Sequence, residues 1–171
     1  MGMLKTYDDF LPEKEFKAMQ DILTGPEFPW SYQQYVTAPS ENSVPDLNVF
    51  FFTHTFYANN FPRSNYYQIV EPLIEKISPL ALCRLKANLN TRTDEIVQYD
   101  FHTDYIVKTA PMKTAVFYMN TNNGSTIFDT GEKITSQENR LVVFDSYMKH
   151  AGTTCTDQQA RVLVNLNFID W

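Results

Sequence analysis

His102 and Asp104 form a His-x-Asp pair that could bind a metal ion, and His150 and Arg161 follow later in the chain. Two imidazoles and one carboxylate can hold a ferrous ion on one face of its octahedron and leave the other positions open for substrate chemistry. A basic residue soon after the second histidine suits a dicarboxylate cosubstrate that binds the same metal. These four residues therefore predict iron-dependent oxidation chemistry.

The motif also has ordinary explanations. With 3 histidines and 20 acidic residues in the chain, some His-x-Asp/Glu string arises by chance about one time in three. His102 and Asp104 could form a surface ion pair, and Arg161 could be a surface arginine. A zinc site that combines Cys83 and Cys155 with the two histidines lacks the usual ligand spacing. The metal-site hypothesis therefore depends on the elements that position these residues.

Composition predicts one globular domain over residues 1–171. The chain is 43% apolar and 15% aromatic, which is enough for a single large core. The net charge is −6 and the basic residues occur singly, so no nucleic-acid partner is expected. No signal peptide and no membrane-spanning stretch is recognisable, so we expect a cytoplasmic protein without a membrane partner. The two cysteines are expected to be reduced, packed thiols.

Residues 1–79 are predicted to form a helical and extended support. Pro12 to Leu23 is a predicted helix, because proline suits the first turn and Thr24-Gly25-Pro26 ends it. A second helix is predicted over 65–77, with Pro72 kinking it. Short strands are predicted over 3–7, 30–37 and 49–57. The Pro-, Ser- and Asn-rich loop at 38–48 is a candidate lid.

Residues 80–169 are predicted to form a jelly-roll core of short strands. These are expected at 81–90, 96–102, 113–120, 125–129, 131–135, 140–144, 149–154 and 160–169. Asn122-Asn123-Gly124 predicts a tight hairpin between two of them. His102 and Asp104 are two residues apart, so on an extended segment their side chains project the same way. A wrapped sheet can bring them to His150.

Two of these strands alternate between an apolar and a largely polar face. The apolar faces suit packing against the helices. A polar jelly-roll interior usually holds a polar ligand, although a solvated strand face is the alternative. The largely polar faces consist of Arg84, Lys86, Asn88 and Asn90 in one strand and of Arg161, Leu163, Asn165 and Asn167 in the other.

The order His-x-Asp, distal His, basic residue resembles that of the 2-oxoglutarate- and iron(II)-dependent oxygenase superfamily. The resemblance covers residues 81–169, about half the chain, and is strongest for the small prolyl-hydroxylase-like branch, which includes compact phage and marine microbial members. It implies an α+β, mainly β fold: a double-stranded β-helix (jelly roll) with supporting N-terminal helices. It also implies iron ligands at His102, Asp104 and His150.

The resemblance implies further roles in binding 2-oxoglutarate. Arg161 matches the residue that pairs with the far carboxylate of this cosubstrate. Tyr118 resembles the strand tyrosine that hydrogen-bonds the same carboxylate in prolyl hydroxylases. Asn88 stands roughly where that branch often has a tyrosine near the metal-bound end, with Asn90 and Lys86 as alternatives.

The implied activity is a dioxygenase that uses Fe(II), 2-oxoglutarate and O2, releases succinate and hydroxylates an unidentified small-molecule or peptide substrate. Asp104 favours hydroxylation, because halogenating relatives have a small residue at this position. A peptidyl or free amino acid such as proline is the expected substrate. The alternatives are a metal-binding jelly roll that performs no oxidation and a nucleic-acid demethylase of the same superfamily.

Other aromatic and histidine residues have weaker indications. Trp30, Tyr32, Tyr35 and Tyr105 could line a substrate groove. His54 is expected to be a hydrogen-bonded strand histidine outside the site.

Overall fold

The computed structural model describes residues 2–36, 50–104 and 111–170. None of the described helices is both long and apolar enough to cross a membrane. In chain order, the elements are β1 (Leu4–Tyr7), α1 (Glu13–Leu23), β2 (Ser31–Gln33), β3 (Phe51–Ala58), β4 (Phe61–Pro62), a 3-10 helix (Tyr67–Val70), α2 (Glu71–Ile77), β5 (Ala81–Thr91), β6 (Met112–Tyr118), β7 (Ser125–Phe128), β8 (Lys133–Thr135), β9 (Arg140–Asp145), β10 (His150–Gly152) and β11 (Ala160–Ile169).

The strands form two antiparallel sheets. The large sheet has the order β1-β9-β6-β11-β5-β3-β2, with β4 added beside β3, and the small sheet has the order β10-β7-β8. From β6 onward the chain passes four times between the two sheets, with β7, β8 and β10 in the small sheet and β6, β9 and β11 in the large one, as in a jelly roll. The predicted mainly β double-stranded β-helix with N-terminal helices is therefore confirmed.

Alternation along β11 separates the helix-packed core from the interior between the sheets. On one face, four apolar side chains pack against the helices, including Phe16 and Met19 of α1 and Leu73 of α2. These four side chains are Val162, Val164, Leu166 and Phe168. The other face points toward the small sheet, where Leu163 joins a second apolar cluster with Phe128 of β7. The helices thus fix the large sheet in place and leave its opposite face for the site.

The segment predicted as a strand at 96–102 is not a regular strand. It contributes only isolated bridges, from Gln98 to Thr153 and from His102 to His150. Hydrogen bonds at 2.9 and 3.0 Å join the backbones of His102 and His150 in both directions. This short contact attaches the segment to β10 of the small sheet and brings the two histidines together.

The tight hairpin predicted at Asn122-Asn123-Gly124 is wrong. In the described chain, β6 pairs with β9 and β11, whereas β7 pairs with β8 and β10, so this segment crosses from the large sheet to the small one. Glycine is needed here for space, since a Cβ at Gly124 would lie 2.6 Å from Cδ of Arg161. The hairpin connects β7 to β8 instead, where Gly131 has a φ of +101°.

The predicted second helix is divided. A 3-10 helix over Tyr67–Val70 precedes α2, and Pro72 is the second residue of α2. The backbone N–H groups of a helix's first turn have no partner within the helix, so proline costs nothing there. The expected kink at Pro72 is therefore wrong. The predicted strand at 30–37 is also shorter, with β2 covering Ser31–Gln33.

Candidate active site

Three potential metal ligands converge between the two sheets. One ligand atom each from His102, Asp104 and His150 lies within 4.8 Å of the others. The His102 Nε2 and Asp104 Oδ1 atoms are 4.0 Å apart, and the centroids of the two imidazole rings are 4.5 Å apart. His102 is partly exposed, whereas His150 is only 4% exposed. The triad is therefore open on one side and buried on the other.

Backbone carbonyls orient both imidazole rings. Nδ1 of His150 lies 3.1 Å from the carbonyl oxygen of Met148, and Nδ1 of His102 lies 3.3 Å from that of Asp100. An Nδ1–H that donates to a carbonyl leaves Nε2 as the lone-pair nitrogen, which is the arrangement of metal-binding histidines. Burial lowers the pKa of His150, against the attraction of Asp104. The ring is therefore neutral at pH 7 and able to bind a cation.

The Asp104 carboxylate is held by neighbours on the large sheet. Its Oδ2 accepts hydrogen bonds from Thr114 Oγ1 and Asn167 Nδ2, both at 2.9 Å, and its Oδ1 lies 3.3 Å from Nη2 of Arg84. Burial by itself would raise the pKa of Asp104. The charge of Arg84, the two hydrogen bonds and the attraction of His150 when that ring is protonated outweigh burial and lower this pKa. The carboxylate is therefore ionised, with Oδ1 on the side of the imidazoles.

This donor set fits a ferrous ion. Two imidazoles and one carboxylate on one side of a cation are the ligands of the facial triad, which leaves coordination positions open for other molecules. Within the described ranges, the cluster of potential metal ligands contains neither Cys83 nor Cys155. Both cysteines are free thiols, as expected, and the alternative zinc site that includes them is wrong.

The second charged end of the site is the guanidinium of Arg161, which is only 1% exposed. Its Nε donates to Ser136 Oγ at 2.7 Å, and its Nη2 donates to Thr126 Oγ1 at 3.2 Å. Nη1 lies 3.4 Å from the carbonyl oxygen of Thr153. No carboxylate of the described residues lies within 4.0 Å of this guanidinium, so its protein partners are neutral. A buried cation without a counter-ion is costly, which favours an anionic ligand.

Tyr118 lies beside Arg161 rather than on the wall of the cavity. Its hydroxyl donates to Thr126 Oγ1 at 2.8 Å, and the Arg161 guanidinium carbon lies 5.5 Å from its ring centroid. Tyr118 is fully buried. Thr126 faces the cavity and accepts hydrogen bonds from both Tyr118 and Arg161. It is not among the site residues predicted from the sequence.

A cavity of about 90 Å³ joins the two ends. Its wall includes both histidines, Asp104, Arg161 and the polar faces that the sequence predicted for β5 and β11. Asn88 lies on this wall, where its Oδ1 accepts a hydrogen bond from Thr53 Oγ1 at 3.3 Å. The cavity therefore has a cation-binding end, an anion-binding end and polar walls between them.

Tyr99 also lines the cavity, although it is not among the site residues predicted from the sequence. Its hydroxyl donates to Asn90 Oδ1 at 3.2 Å, and burial raises its pKa to about 12 despite the charge of Arg161. Strict strand alternation would have placed Tyr99 on the face opposite to His102. Because this segment makes only isolated bridges, both side chains reach the same cavity. The sequence feature that could have identified Tyr99 is its position three residues before the His-x-Asp pair.

The remaining predictions concern His54, the other aromatic residues and the candidate lid. His54 is hydrogen-bonded to the Pro29 carbonyl oxygen at 2.8 Å and to Ser64 Oγ at 2.6 Å, which confirms its expected role. Trp30 packs against Phe28 beside the helix-side core rather than on the cavity wall. The candidate lid at 38–48 and Tyr105 lie outside the described residues.

No protein-family model and no curated protein matches this sequence. Solved structures do match it. A prolyl hydroxylase from Trichoplax adhaerens, in complex with a hypoxia inducible factor oxygen degradation domain peptide fragment, has a TM-score of 0.67 and 12% identity over 98% of this chain and 83% of that chain.

Two bacterial structures are also similar. A prolyl-4-hydroxylase from Pseudomonas putida has a TM-score of 0.56 and 13% identity, with 100% of this chain and 94% of that chain covered. A 2OG-Fe(II) oxygenase family oxidoreductase from Burkholderia pseudomallei has a TM-score of 0.61 and 11% identity, with 98% and 85% covered. The chain thus has the fold of the 2-oxoglutarate- and iron(II)-dependent oxygenases, the prolyl hydroxylases among them.

Proposed function

We propose that this protein is an iron(II)- and 2-oxoglutarate-dependent dioxygenase that hydroxylates a small-molecule or peptide substrate. The observation that supports this most strongly is the guanidinium of Arg161, buried with only neutral partners at one end of a cavity. The triad of His102, Asp104 and His150 stands at the other end. A ligand with one carboxylate for the guanidinium and a second metal-binding end would satisfy both ends at once.

Arg161 would bind the far carboxylate of 2-oxoglutarate. The planar guanidinium presents paired N–H groups that match a carboxylate, and such charge-assisted bonds are worth about 1.5–3 kcal/mol. Thr126 and Tyr118 hold the guanidinium and would adjust to the incoming carboxylate. Asn88, on the wall between the ends, is our candidate contact for the metal-bound end of the cosubstrate.

The triad would bind iron(II), which with 2-oxoglutarate and O2 supplies the oxidising chemistry and releases succinate and CO2. The chain's own contribution is to keep His150 neutral and Asp104 ionised before the metal arrives. The carboxylate of Asp104 occupies the third ligand position, which favours hydroxylation over halogenation. The buried side of the triad excludes water, and the exposed side of His102 gives access to a substrate.

We further propose that the substrate is a peptidyl or free amino acid, with proline as the first candidate. The support is the similarity in fold to two prolyl hydroxylases, one of which is in complex with a peptide fragment. The net charge of −6 and the lack of clustered basic residues do not favour nucleic acid. A mobility assay at low salt tests this, and retardation of single-stranded nucleic acid would favour the demethylase alternative.

Succinate release from 2-oxoglutarate tests the proposed activity. We expect release that requires both added iron(II) and oxygen, and we expect His102→Ala to abolish it. His54→Gln is the matched control, because His54 has hydrogen-bond partners away from the cavity and its replacement should leave release at the wild-type rate. A folded wild-type protein that binds no iron and releases no succinate would instead favour a jelly roll without oxidation activity.

A further inference from the structure

A second cation, Lys86, stands on the wall of the same cavity and has no role in the activity proposed above. Its ammonium lies 5.9 Å from the ring centroid of Phe51. Among the residues with described positions, no carboxylate lies within 4.0 Å of it and no side chain accepts a hydrogen bond from it. Arg84, its neighbour on the same strand face, contacts Asp104 and is one-third exposed. Lys86 therefore lacks the partner that Arg84 has.

Strand register places Lys86 near the metal end of the cavity. On β11, Asn167 is opposite Arg84, Asn165 is opposite Lys86, and Arg161 is opposite Asn90. Same-face residues of a strand are about 6.6 Å apart. Lys86 is therefore one such step from the pair that holds Asp104 and two steps from the level of Arg161.

The charges of the filled site leave Lys86 uncompensated. Iron(II), the Asp104 carboxylate, the two carboxylates of 2-oxoglutarate and the Arg161 guanidinium would together have no net charge, and the partly exposed Arg84 adds one positive charge beside Asp104. The Lys86 ammonium adds one positive charge on the wall of the same cavity. Burial and the charge of Arg84 lower its pKa to about 8, despite attraction from Asp104, so the ammonium form predominates at neutral pH. An anionic group on the substrate would neutralise it.

Asn165 supplies a second unsatisfied group at the same level. It is 7% exposed, and its Oδ1 has no hydrogen-bond partner among the described residues. An unpaired buried carbonyl oxygen costs free energy that an incoming N–H donor recovers. Lys86 and its register partner Asn165 thus offer a cation and a free acceptor on neighbouring strands.

We propose that Lys86 and Asn165 bind the head group of a free amino acid, with Lys86 contacting the α-carboxylate and Asn165 accepting a hydrogen bond from the amine. This inference rests on the proposed function and narrows its substrate to a small carboxylic acid. The interior residue of a peptide has no free carboxylate at this position and would leave the Lys86 charge unpaired. Lys86 and Asn165 would therefore bind the free amino acid more tightly than the same residue within a peptide.

The test uses the twenty free L-amino acids, proline included, and their carboxamides as probes. Each probe is added to the protein loaded with iron(II) and 2-oxoglutarate, with binding measured by calorimetry without oxygen and succinate release measured with oxygen. We expect at least one free acid to bind at least about tenfold more tightly than its carboxamide. Lys86→Met should reduce that preference to near unity, whereas Lys86→Arg should keep part of it.

Two further variants complete the design. Asn165→Leu should reduce the preference for the free amine over its N-acetyl derivative. Lys5→Met is the matched lysine control, because Lys5 is exposed on β1 at the far edge of the large sheet. It should keep the wild-type preference. Thermal unfolding of each variant checks that it is folded.

The inference is overturned if no free acid is preferred over its carboxamide, or if Lys86→Met keeps the preference of the wild type. It is also overturned if Lys86→Met raises the requirement for 2-oxoglutarate more than the requirement for the acid, because Lys86 would then serve the cosubstrate. Succinate release without any probe tests the proposed function separately. Release that persists without an acid preference would remove only the inference about Lys86 and Asn165.

Discussion

At one end of the cavity, the Asp104 carboxylate accepts hydrogen bonds from Thr114 and Asn167 and lies beside Arg84. At the other end, the Arg161 guanidinium is equally buried but contacts only neutral oxygens. Strand β11 contributes to both ends, with Asn167 beside Asp104 and Arg161 at the other end, whereas the hydrogen-bond partners of Arg161 lie on or next to strands of the small sheet. The protein itself thus balances the charge at the metal end and leaves the charge at the other end for a ligand.

This difference matches what each end has to do. A metal ligand must be held in one geometry before the cation arrives, so its supporting hydrogen bonds come from the protein. In the proposed reaction, 2-oxoglutarate binds and succinate leaves in every turnover, so the residue that pairs with the far carboxylate has to lack a carboxylate partner from the protein itself. The cost of a buried, unpaired guanidinium is recovered each time the anion binds.

The largest effect is expected from the metal end. His150→Ala should reduce succinate release by more than the 10- to 100-fold that is typical for losing a group that only supports a ligand. Iron content after desalting and succinate release measure this, with circular dichroism as the check of folding. Release above one-tenth of the wild-type rate from a folded His150→Ala protein would remove His150 from the triad.

The second largest effect is expected at the Arg161 end of the cavity. Arg161→Met should raise the 2-oxoglutarate requirement roughly 10- to 100-fold, as the loss of a charge-assisted pair implies. In the absence of the cosubstrate, the same change should leave the protein as stable as the wild type or more so, because it removes a buried, unpaired cation. Titration of 2-oxoglutarate and thermal unfolding test the two statements.

Arg140→Met is the matched arginine control. Arg140 pairs with Asp8 through two contacts, at 2.6 and 3.0 Å, and is not among the residues that line the cavity. Its loss should leave the 2-oxoglutarate requirement unchanged. If Arg161→Met also leaves the 2-oxoglutarate requirement unchanged, the Arg161 end of the cavity does not bind the cosubstrate carboxylate.

A smaller change is expected from the support of Asp104. Thr114→Val removes one hydrogen-bond donor to Oδ2 with little change in volume, while Asn167 keeps the other. We expect iron affinity to fall about tenfold, with a smaller change in the 2-oxoglutarate requirement than Arg161→Met causes. Metal titration by competition with a chelator measures this. Equal effects on iron affinity and on the 2-oxoglutarate requirement would mean that the two ends of the cavity do not act independently.

Packing around Arg161 allows a comparison of two glycines. Gly124→Ala places a Cβ 2.6 Å from Cδ of Arg161 and 2.7 Å from the Thr154 carbonyl oxygen, whereas Gly152→Ala places one at an ordinary 3.5 Å from Nη1 of Arg161. Overpacking of this kind costs about 1–3 kcal/mol. Gly124→Ala should therefore lower the unfolding free energy by about that amount, and Gly152→Ala by less. Denaturant unfolding distinguishes them, and equal losses would contradict the close approach at Gly124.

The last expected effect concerns Lys86 and the pH dependence of stability. The folded protein lowers the pKa of Lys86 from 10.5 to about 8, so between these values the unfolded chain binds more protons than the folded one. The contribution of Lys86 to stability therefore rises with pH through this window. Lys86→Met should be stabilising relative to the wild type at pH 7, and this advantage should shrink as the pH approaches 10.5. An advantage that is independent of pH would place Lys86 in solvent.

Much of the site could be predicted from patterns that are local in the sequence. Alternation in β5 and β11 predicted which residues face the interior, because a strand side chain's direction depends only on its parity. That rule failed at Tyr99 and His102, which face the same cavity from a segment with no regular pairing. The turn signal failed at Asn122-Asn123-Gly124, where glycine is required by the close approach of Arg161 and not by a hairpin.

The sequence by itself determined the donor types, the polar strand faces and the order of the motif, since these depend on residue identity and spacing along one strand. Only the tertiary structure decided which charges have partners. Asp104 receives hydrogen bonds from two distant strands, β6 and β11, whereas Arg161 and Lys86 receive no carboxylate from any described part of the chain. Charge balance depends on distances between residues far apart in sequence, and a strand's pattern does not contain those distances.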